Sequence, residues 1–307
     1  FADALRGHDG ISHFLGDSGS YPFCGRGRIN LYAVFAEAMR SHLNPYGRMG
    51  AVLPSGIATD DTTKFFFRDV MERQSLVSLF DFENKGLFPG VDSRMKFCLF
   101  TSGSGLRPTA PRAAFAFFAH AVTDLADSGR RFTLSSADIA MLNPNTRTCP
   151  IFRSPADAEL TTAMCRHSPV LVREGTPEEN PWNIRIRRVF NMGMTSVSAL
   201  AKTRPDLDRL GIECATTALI RLRDGREFVP MMEGKMFGAF NHRAGGVLFN
   251  PGNIQRGAQA VDSLDWELAH AHYSPTPLYG YPRSELTDID PTRFAGRWIL
   301  GFKDVAS

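Results

Sequence analysis

NLYAVFAEAMRSHLNPYGRMGAVLP, residues 30–54, reads as helix, turn and strand in immediate succession. Asn30 can cap a helix over 31–43, in which Leu31, Val34, Phe35, Ala38, Met39 and Leu43 recur at the three-and-four spacing of one buried face. Asn44-Pro45-Tyr46-Gly47 is a turn, and the apolar run 49–54 has the length and composition of a buried strand. The same order recurs downstream. Thr59 or Asp60 can cap a helix carrying Phe65, Phe66, Phe67, Val70 and Met71, and 76–82 is again strand-like. Helices alternating with strands predict a layered, mostly parallel α/β sheet. A third strand, 96–101, follows Leu87-Phe88-Pro89-Gly90 with no room for a helix, so it is predicted to pair antiparallel with its predecessor, a hairpin at the end of the sheet.

Outward from this core the signals thin. Phe1 to Gly19 shows no clean helix or strand start, and the chain is expected to be an excerpt of a longer protein. After Gly103 prolines and arginines are scattered, with a short element at 113–118 and a helix predicted at 156–165; a domain boundary is placed between Ser104 and Thr148. From Val170 onward the chain is loop-rich and basic in patches, and it contains no internal repeat.

A 307-residue chain with 43% hydrophobic residues can bury a substantial core. It has neither the roughly 18 to 20 uninterrupted apolar residues of a membrane span nor a signal-peptide layout at its start, so a soluble, cytoplasmic protein with no membrane partner is expected. The five cysteines are odd in number and never form a CxxC pair, which argues against a disulfide framework and a zinc site. A net charge of +3 permits nucleic-acid binding without requiring it.

Several long strings carry a family likeness. They are Gly27-Arg28-Ile29-Asn30-Leu31-Tyr32, Val52-Leu53-Pro54-Ser55-Gly56-Ile57-Ala58-Thr59-Asp60, Leu79-Phe80-Asp81-Phe82-Glu83-Asn84 and Val91-Asp92-Ser93-Arg94-Met95-Lys96-Phe97. Leu142-Asn143-Pro144-Asn145-Thr146-Arg147, Glu233-Gly234-Lys235-Met236-Phe237 and Phe240-Asn241-His242-Arg243 extend it over nearly the whole chain. The chain resembles the Eco57I-like N6-adenine DNA methyltransferases, including the large enzymes of BREX and DISARM phage-defence systems. The resemblance implies a Rossmann-like sheet ending in a reversed hairpin, followed by an irregular α+β target-recognition domain. It places the back half of the catalytic domain in residues 1–125 and an incomplete recognition domain in 126–307. It also implies a parent that transfers methyl from S-adenosylmethionine to adenine N6 in double-stranded DNA, with restriction or defence-system subunits as further partners.

Two family features are missing: a glycine-rich loop that holds the methyl donor, and an Asn/Asp-Pro-Pro-Tyr/Phe loop that grips the target amine. Asn44-Pro45-Tyr46 and Asn180-Pro181-Trp182 each lack one proline and are read as turns. The donor site is therefore expected mostly outside this chain, and the chain alone is expected to be inactive. The alternative is a non-catalytic DNA-binding specificity subunit acting with a separate methyltransferase chain.

Chemistry on a base within a duplex requires extruding that base and offering it a stacking surface. The resemblance gives that role to Phe97, against the competing reading of a core strand phenylalanine. Arg94, Lys96, Lys235, His242 and Arg243, with Arg147 and Arg153, are candidate DNA contacts, since phosphates draw lysine and arginine and arginine can read guanine. Internal ion pairs compete with that assignment, Glu233 being an obvious partner for Lys235 and Arg243. His270 and His272 lack a third ligand at metal-binding spacing, so no metal is expected.

Overall fold

The computed structural model describes residues 2–168, 170–175, 177–184, 192, 194–216, 218–238, 241–250 and 258–286. The chain divides into two compact units, Phe1–Ile184 and Arg185–Ser307.

The first unit contains α1 (Ala2–Asp17), α2 (Leu31–Ser41), β1 (Arg48–Pro54), α3 (Gly56–Thr59), α4 (Lys64–Glu72), β2 (Leu76–Glu83), β3 (Lys96–Gly103) and β4 (Ala113–Ala119). It continues through β5 (Phe132–Leu134), α5 (Ser136–Leu142) and α6 (Pro155–His167). The alternation predicted over 31–101 is present, element by element. Phe66, Phe67, Val70 and Met71 of α4 enter a core with Leu76 and Leu79 of β2, Phe100 of β3 and Phe115 of β4. Phe65, expected in the same core, is partly exposed and lies under Arg26 instead.

Five described strands form one mixed sheet in the order β1-β3-β2-β4-β5. β3 pairs antiparallel with β2, as predicted, and also with β1, while β2 pairs parallel with β4. The reversed strand thus sits inside the sheet, between two strands that share a direction, and not at its end. β5 adds an antiparallel strand beyond β4. Because β5 joins this sheet and α5 packs on α4 and α6, the compact unit runs well past residue 125.

Two local expectations fail for identifiable reasons. Residues 2–17 are helical although Gly7, Gly10 and Gly16 blur the periodicity, and among the described side chains of α1 only Leu15 is buried. α2 forms where expected, ending at Ser41, but turns a different face inward. Ala33, Val34, Ala36, Glu37 and Arg40 are buried, whereas Leu31 and Phe35 are 58% and 63% exposed. The polar partners select the face. Glu37 accepts hydrogen bonds from the backbone N–H groups of Phe23 at 3.2 Å and Cys24 at 2.8 Å, and Arg40 donates to Asp69 at 2.6 Å. Burying the apolar stripe instead would strip these groups of their partners. The Asn30 side chain makes no capping bond.

In the second unit lie α7 (Thr195–Leu200), β6 (Lys202–Thr203), α8 (Arg204–Leu210), β7 (Ile212–Ala215), β8 (Ile220–Leu222) and β9 (Glu227–Pro230). β10 (Gly245–Phe249), β11 (Ala258–Asp262), α9 (Asp265–Leu268) and β12 (Tyr279–Pro282) follow. Its strands form an antiparallel sheet ordered β6-β12-β9-β8-β7 and a separate β10-β11 pair. Thr203 and Asp206 close a capping box at the start of α8. Leu207 of that helix packs with Ile220, Leu222 and Phe228. Gly280 makes this approach possible, since a Cβ there would meet Leu207 Cδ1 at 2.9 Å.

Candidate functional site

β1, β2 and β4 run in one direction, so Pro54, Glu83 and Ala119 end at one edge of the sheet, where Lys96 and Phe97 begin β3. In open α/β sheets this carboxyl edge is where ligands bind. The edge is tied together from within by Asp81, which is 2% exposed. Its carboxylate accepts from Ser55 Oγ, just past β1, and at 3.3 Å from the Phe118 N–H on β4. Burial pushes the Asp81 carboxyl pKa up despite these bonds. With both oxygens engaged and the group enclosed, Asp81 ties the ends of these strands together.

Phe118 adopts φ +59°, a left-handed conformation unusual for a bulky residue. Its ring has the Lys96 ammonium at 4.5 Å and the Arg153 guanidinium at 4.4 Å. Glu83 sits beside them, with His120 Nε2 at 2.9 Å and Lys96 Nζ at 3.4 Å. The hydrogen bond to His120, followed by the neighbouring lysines, holds the Glu83 carboxyl below its ordinary range.

Phe97 stands opposite Pro54 on β1 and Phe82 on β2. Its ring stacks on Phe82 with centroids 5.3 Å apart and planes 5° apart, and meets Phe88 edge to face at 4.7 Å. These three rings form a column from the enclosed Phe82 to the exposed Phe88. The loop between β2 and β3 is gathered by Asn84, whose side chain donates to the carbonyls of Phe88 and Val91 and accepts from the Phe88 N–H.

The structure therefore brings Phe97, Lys96 and Arg94 to one edge of the first unit. Arg94 is highly exposed and donates to Asp92 at 2.6 Å, which holds the Asp92 carboxyl down at about 2. Arg147 lies at φ +58° and donates to the Pro144 carbonyl, a turn-closing role. Lys235, His242 and Arg243 belong to the second unit. Lys235 pairs with Glu233 at 3.0 Å, and His242 is exposed. Arg243 does not pair with Glu233. Its guanidinium donates to the carbonyls of His270 at 3.0 Å, Leu268 at 3.3 Å and Tyr273 at 3.4 Å, closing the end of α9. Phe240, quoted with this motif, lies outside the described residues.

These bonds carry a prediction. Arg243→Ala should destabilise the second unit by about 1.5–3 kcal/mol, the range for hydrogen bonds to a charged group, and Arg243→Lys should restore little, because one ammonium nitrogen does not reproduce the two separated guanidinium nitrogens that reach these carbonyls. Chemical denaturation reads the loss; an unchanged midpoint with weakened DNA binding would assign Arg243 to the phosphate backbone instead.

The Asn-Pro look-alikes are turns. Asn44 Oδ1 accepts from the Tyr46 N–H at 2.9 Å, and the Asn180 side chain bonds both the N–H and the carbonyl of Ile184. Gly56 follows β1 and opens α3, and the Asp60 carboxylate and the Tyr32 hydroxyl occupy the space beside its Cα. No group of three His, Cys, Asp or Glu among the described residues is arranged to hold a metal ion. None of the described helices is long and apolar enough to cross a membrane.

Sequence reasoning missed Phe88 and Asn84 as a unit. A partial signal was available, since asparagine side chains readily bond nearby backbone and Pro-Gly marks a turn. The Phe118 strain and its paired cations had no sequence signal, because Arg153 arrives from 35 positions further along the chain. No family model matches the chain, and no curated protein matches it.

Proposed function

We propose that this chain is the back half of an S-adenosylmethionine-dependent DNA methyltransferase acting on adenine N6 in a restriction or phage-defence system. The observation that carries the reading is the reversed strand β3 seated between β1 and β2, with Phe97 and Lys96 at the carboxyl edge of the parallel strands. What supports the reading is a mixed α/β sheet that contains a reversed strand, although that strand lies inside the sheet and, among the described strands, only the β2–β4 pairing is parallel. In this reading the first unit supplies part of the catalytic sheet and an aromatic surface for the extruded base. The second unit contributes to target recognition, with His242 and Lys235 as its candidate DNA contacts.

In this reading the methyl donor is held mostly by the rest of the parent, because the glycine-rich loop and the Asn-Pro-Pro-Tyr loop of the family do not occur in this sequence. Two surfaces are suited to such a neighbour. Among the described residues β1 is unpaired along its outer edge, and Leu31, Phe35 and Met39 leave an apolar stripe on α2 next to it. An unpaired edge beside apolar surface favours strand addition.

Calorimetric titration of the chain alone should show no micromolar binding of S-adenosylmethionine, a free energy on the order of −8 kcal/mol. Expression together with the adjoining coding region should produce N6-methyladenine in duplex DNA, read by mass spectrometry of its nucleosides. Tight donor binding by the isolated chain would show the donor site misplaced. Absence of the modified base from every duplex offered to the complete gene product would refute the methyltransferase reading. DNA binding retained in that case would favour the specificity-subunit alternative.

A further inference from the structure

Glu83, Phe117, Phe118, His120, Arg130 and Arg153 line a cleft of about 420 Å3 at the carboxyl end of β2 and β4. Main-chain bonds hold its shape. Phe118, at φ +59°, gives its N–H to the buried Asp81 carboxylate at 3.3 Å, and Asp124 accepts from the N–H groups of His120 at 2.7 Å and Ala121 at 3.1 Å. A bulky residue keeps such a conformation only where its surroundings over-determine it, and these positions concentrate at ligand clamps. The other nearby carboxylates also have partners. Glu83 meets His120 at 2.9 Å, Lys96 at 3.4 Å and Lys85 at 3.8 Å, while Asp127 accepts from the Gly129 N–H at 2.8 Å and reaches Arg130 through Nε at 3.6 Å. The arginines are less committed. Arg153 is exposed, with its guanidinium 4.4 Å from the centre of the Phe118 ring, the same ring that has the Lys96 ammonium at 4.5 Å. Among the described residues no carboxylate or carbonyl bonds Arg153, and the terminal nitrogens of Arg130 make no hydrogen bond.

We propose that this cleft binds a phosphate group, held by the guanidinium groups of Arg153 and Arg130. A concave surface with cations whose hydrogen bonds are unfilled raises the local concentration of anions. Two planar guanidinium forks suit a tetrahedral anion with several oxygens, whereas a single carboxylate is filled by one fork. Glu83 opposes such an anion little, because His120 and two lysines already surround it. A nucleic-acid backbone and a free phosphate ion present the same oxygens, and experiment separates these two sources. The site stands on the charge arrangement within the first unit and requires no methyl transfer.

Wild type and the double variant Arg130→Ala with Arg153→Ala are compared on two probes. One is a labelled DNA duplex followed by anisotropy over a range of salt, and the other is inorganic phosphate followed by the width of its phosphorus NMR line. Arg68→Ala on α4, which removes a charge paired only with Glu72, is the control. Where the phosphate belongs to DNA, the double variant should lose about ten-fold or more in duplex affinity, and the salt slope of log K should flatten by about 0.9, the value for one phosphate contact on a duplex. Arg68→Ala should change neither. Replacing both arginines by lysine should keep the slope and recover only part of the affinity, because the forks are lost. Where the phosphate is free, wild type should broaden the phosphorus line and the double variant should not, at equal duplex affinity. Thermal melts check folding; if the double variant unfolds, Arg153→Gln is read by the same criteria. A folded variant that matches wild type on both probes overturns the site. Absence of N6-methyladenine from every duplex offered to the complete gene product, beside a phosphate response that the variant lacks, refutes the methyltransferase reading and leaves the site standing.

Discussion

Asp69→Ala is expected to lower the stability of the first unit by about 3–5 kcal/mol, the cost of leaving a buried charge without its partner. Asp69 accepts from Arg40 Nη1 at 2.6 Å and from Arg73 Nε at 2.8 Å, and the Arg40 side chain is only 7% exposed. Arg40 also donates to Ser75 Oγ at 3.2 Å, while its Nε has no partner. With the carboxylate gone, one hydroxyl would face an enclosed guanidinium. Asp69→Asn keeps an acceptor and should lose less. The double change Arg40→Met with Asp69→Leu removes both charges and should recover much of the loss, because replacing a whole buried pair by apolar groups is often neutral. Urea unfolding followed by circular dichroism measures all three. A loss under about 1 kcal/mol for Asp69→Ala would mean that solvent screens the pair as it does a surface salt bridge.

The same pair explains how far the fold was legible. Helix 31–41 was readable because its periodicity is strong, but its orientation was not, because that depends on Glu37 and Arg40 meeting partners from other parts of the chain. Counting apolar residues at helical spacing ranks Leu31 and Phe35 above Ala33 and Ala36, and it has no means of scoring a buried ion pair. The reversed direction of β3 could be inferred from the missing crossover, since parallel neighbours need a long connection. Its insertion between β1 and β2 could not, because a short link after β2 constrains only one of its two neighbours.

The candidate site divides in the same way. Lys96 and Phe97 lie at the carboxyl edge because strand order and direction put them there; the strand at 96–101 and its reversed direction were legible locally, whereas its place in the order was not and Phe97 was singled out only through the family resemblance. The intramolecular partners of Arg243 were not legible because they are the carbonyls of residues 25–30 positions away, which leave no trace in composition or charge. Arg243 was assessed by side-chain chemistry alone, and backbone carbonyls are an equally good destination for a guanidinium.

Phe97→Ala is expected to cost about 2–3 kcal/mol, below the roughly 3–5 kcal/mol of a fully enclosed phenylalanine because its ring is half-buried. Phe97→Trp should also destabilise, by about 1–3 kcal/mol, since the ring is already flanked by Phe82 at 5.3 Å and Phe88 at 4.7 Å. A residue that stacked directly on the base would behave otherwise. Trp would then keep the function, because a larger π-face serves an extruded adenine at least as well. The two roles separate most cleanly in Phe97→Leu, which fills much of the ring's volume and has no π-face. If Phe97 acts by supporting Phe88, the leucine variant should fold with a modest loss and still quench 2-aminopurine in bound DNA through Phe88. A stably folded Phe97→Leu chain that binds the DNA but no longer quenches it would give Phe97 the direct contact. The base would then have to displace Phe88 from its edge-on position, so the Asn84-held loop would open when DNA binds.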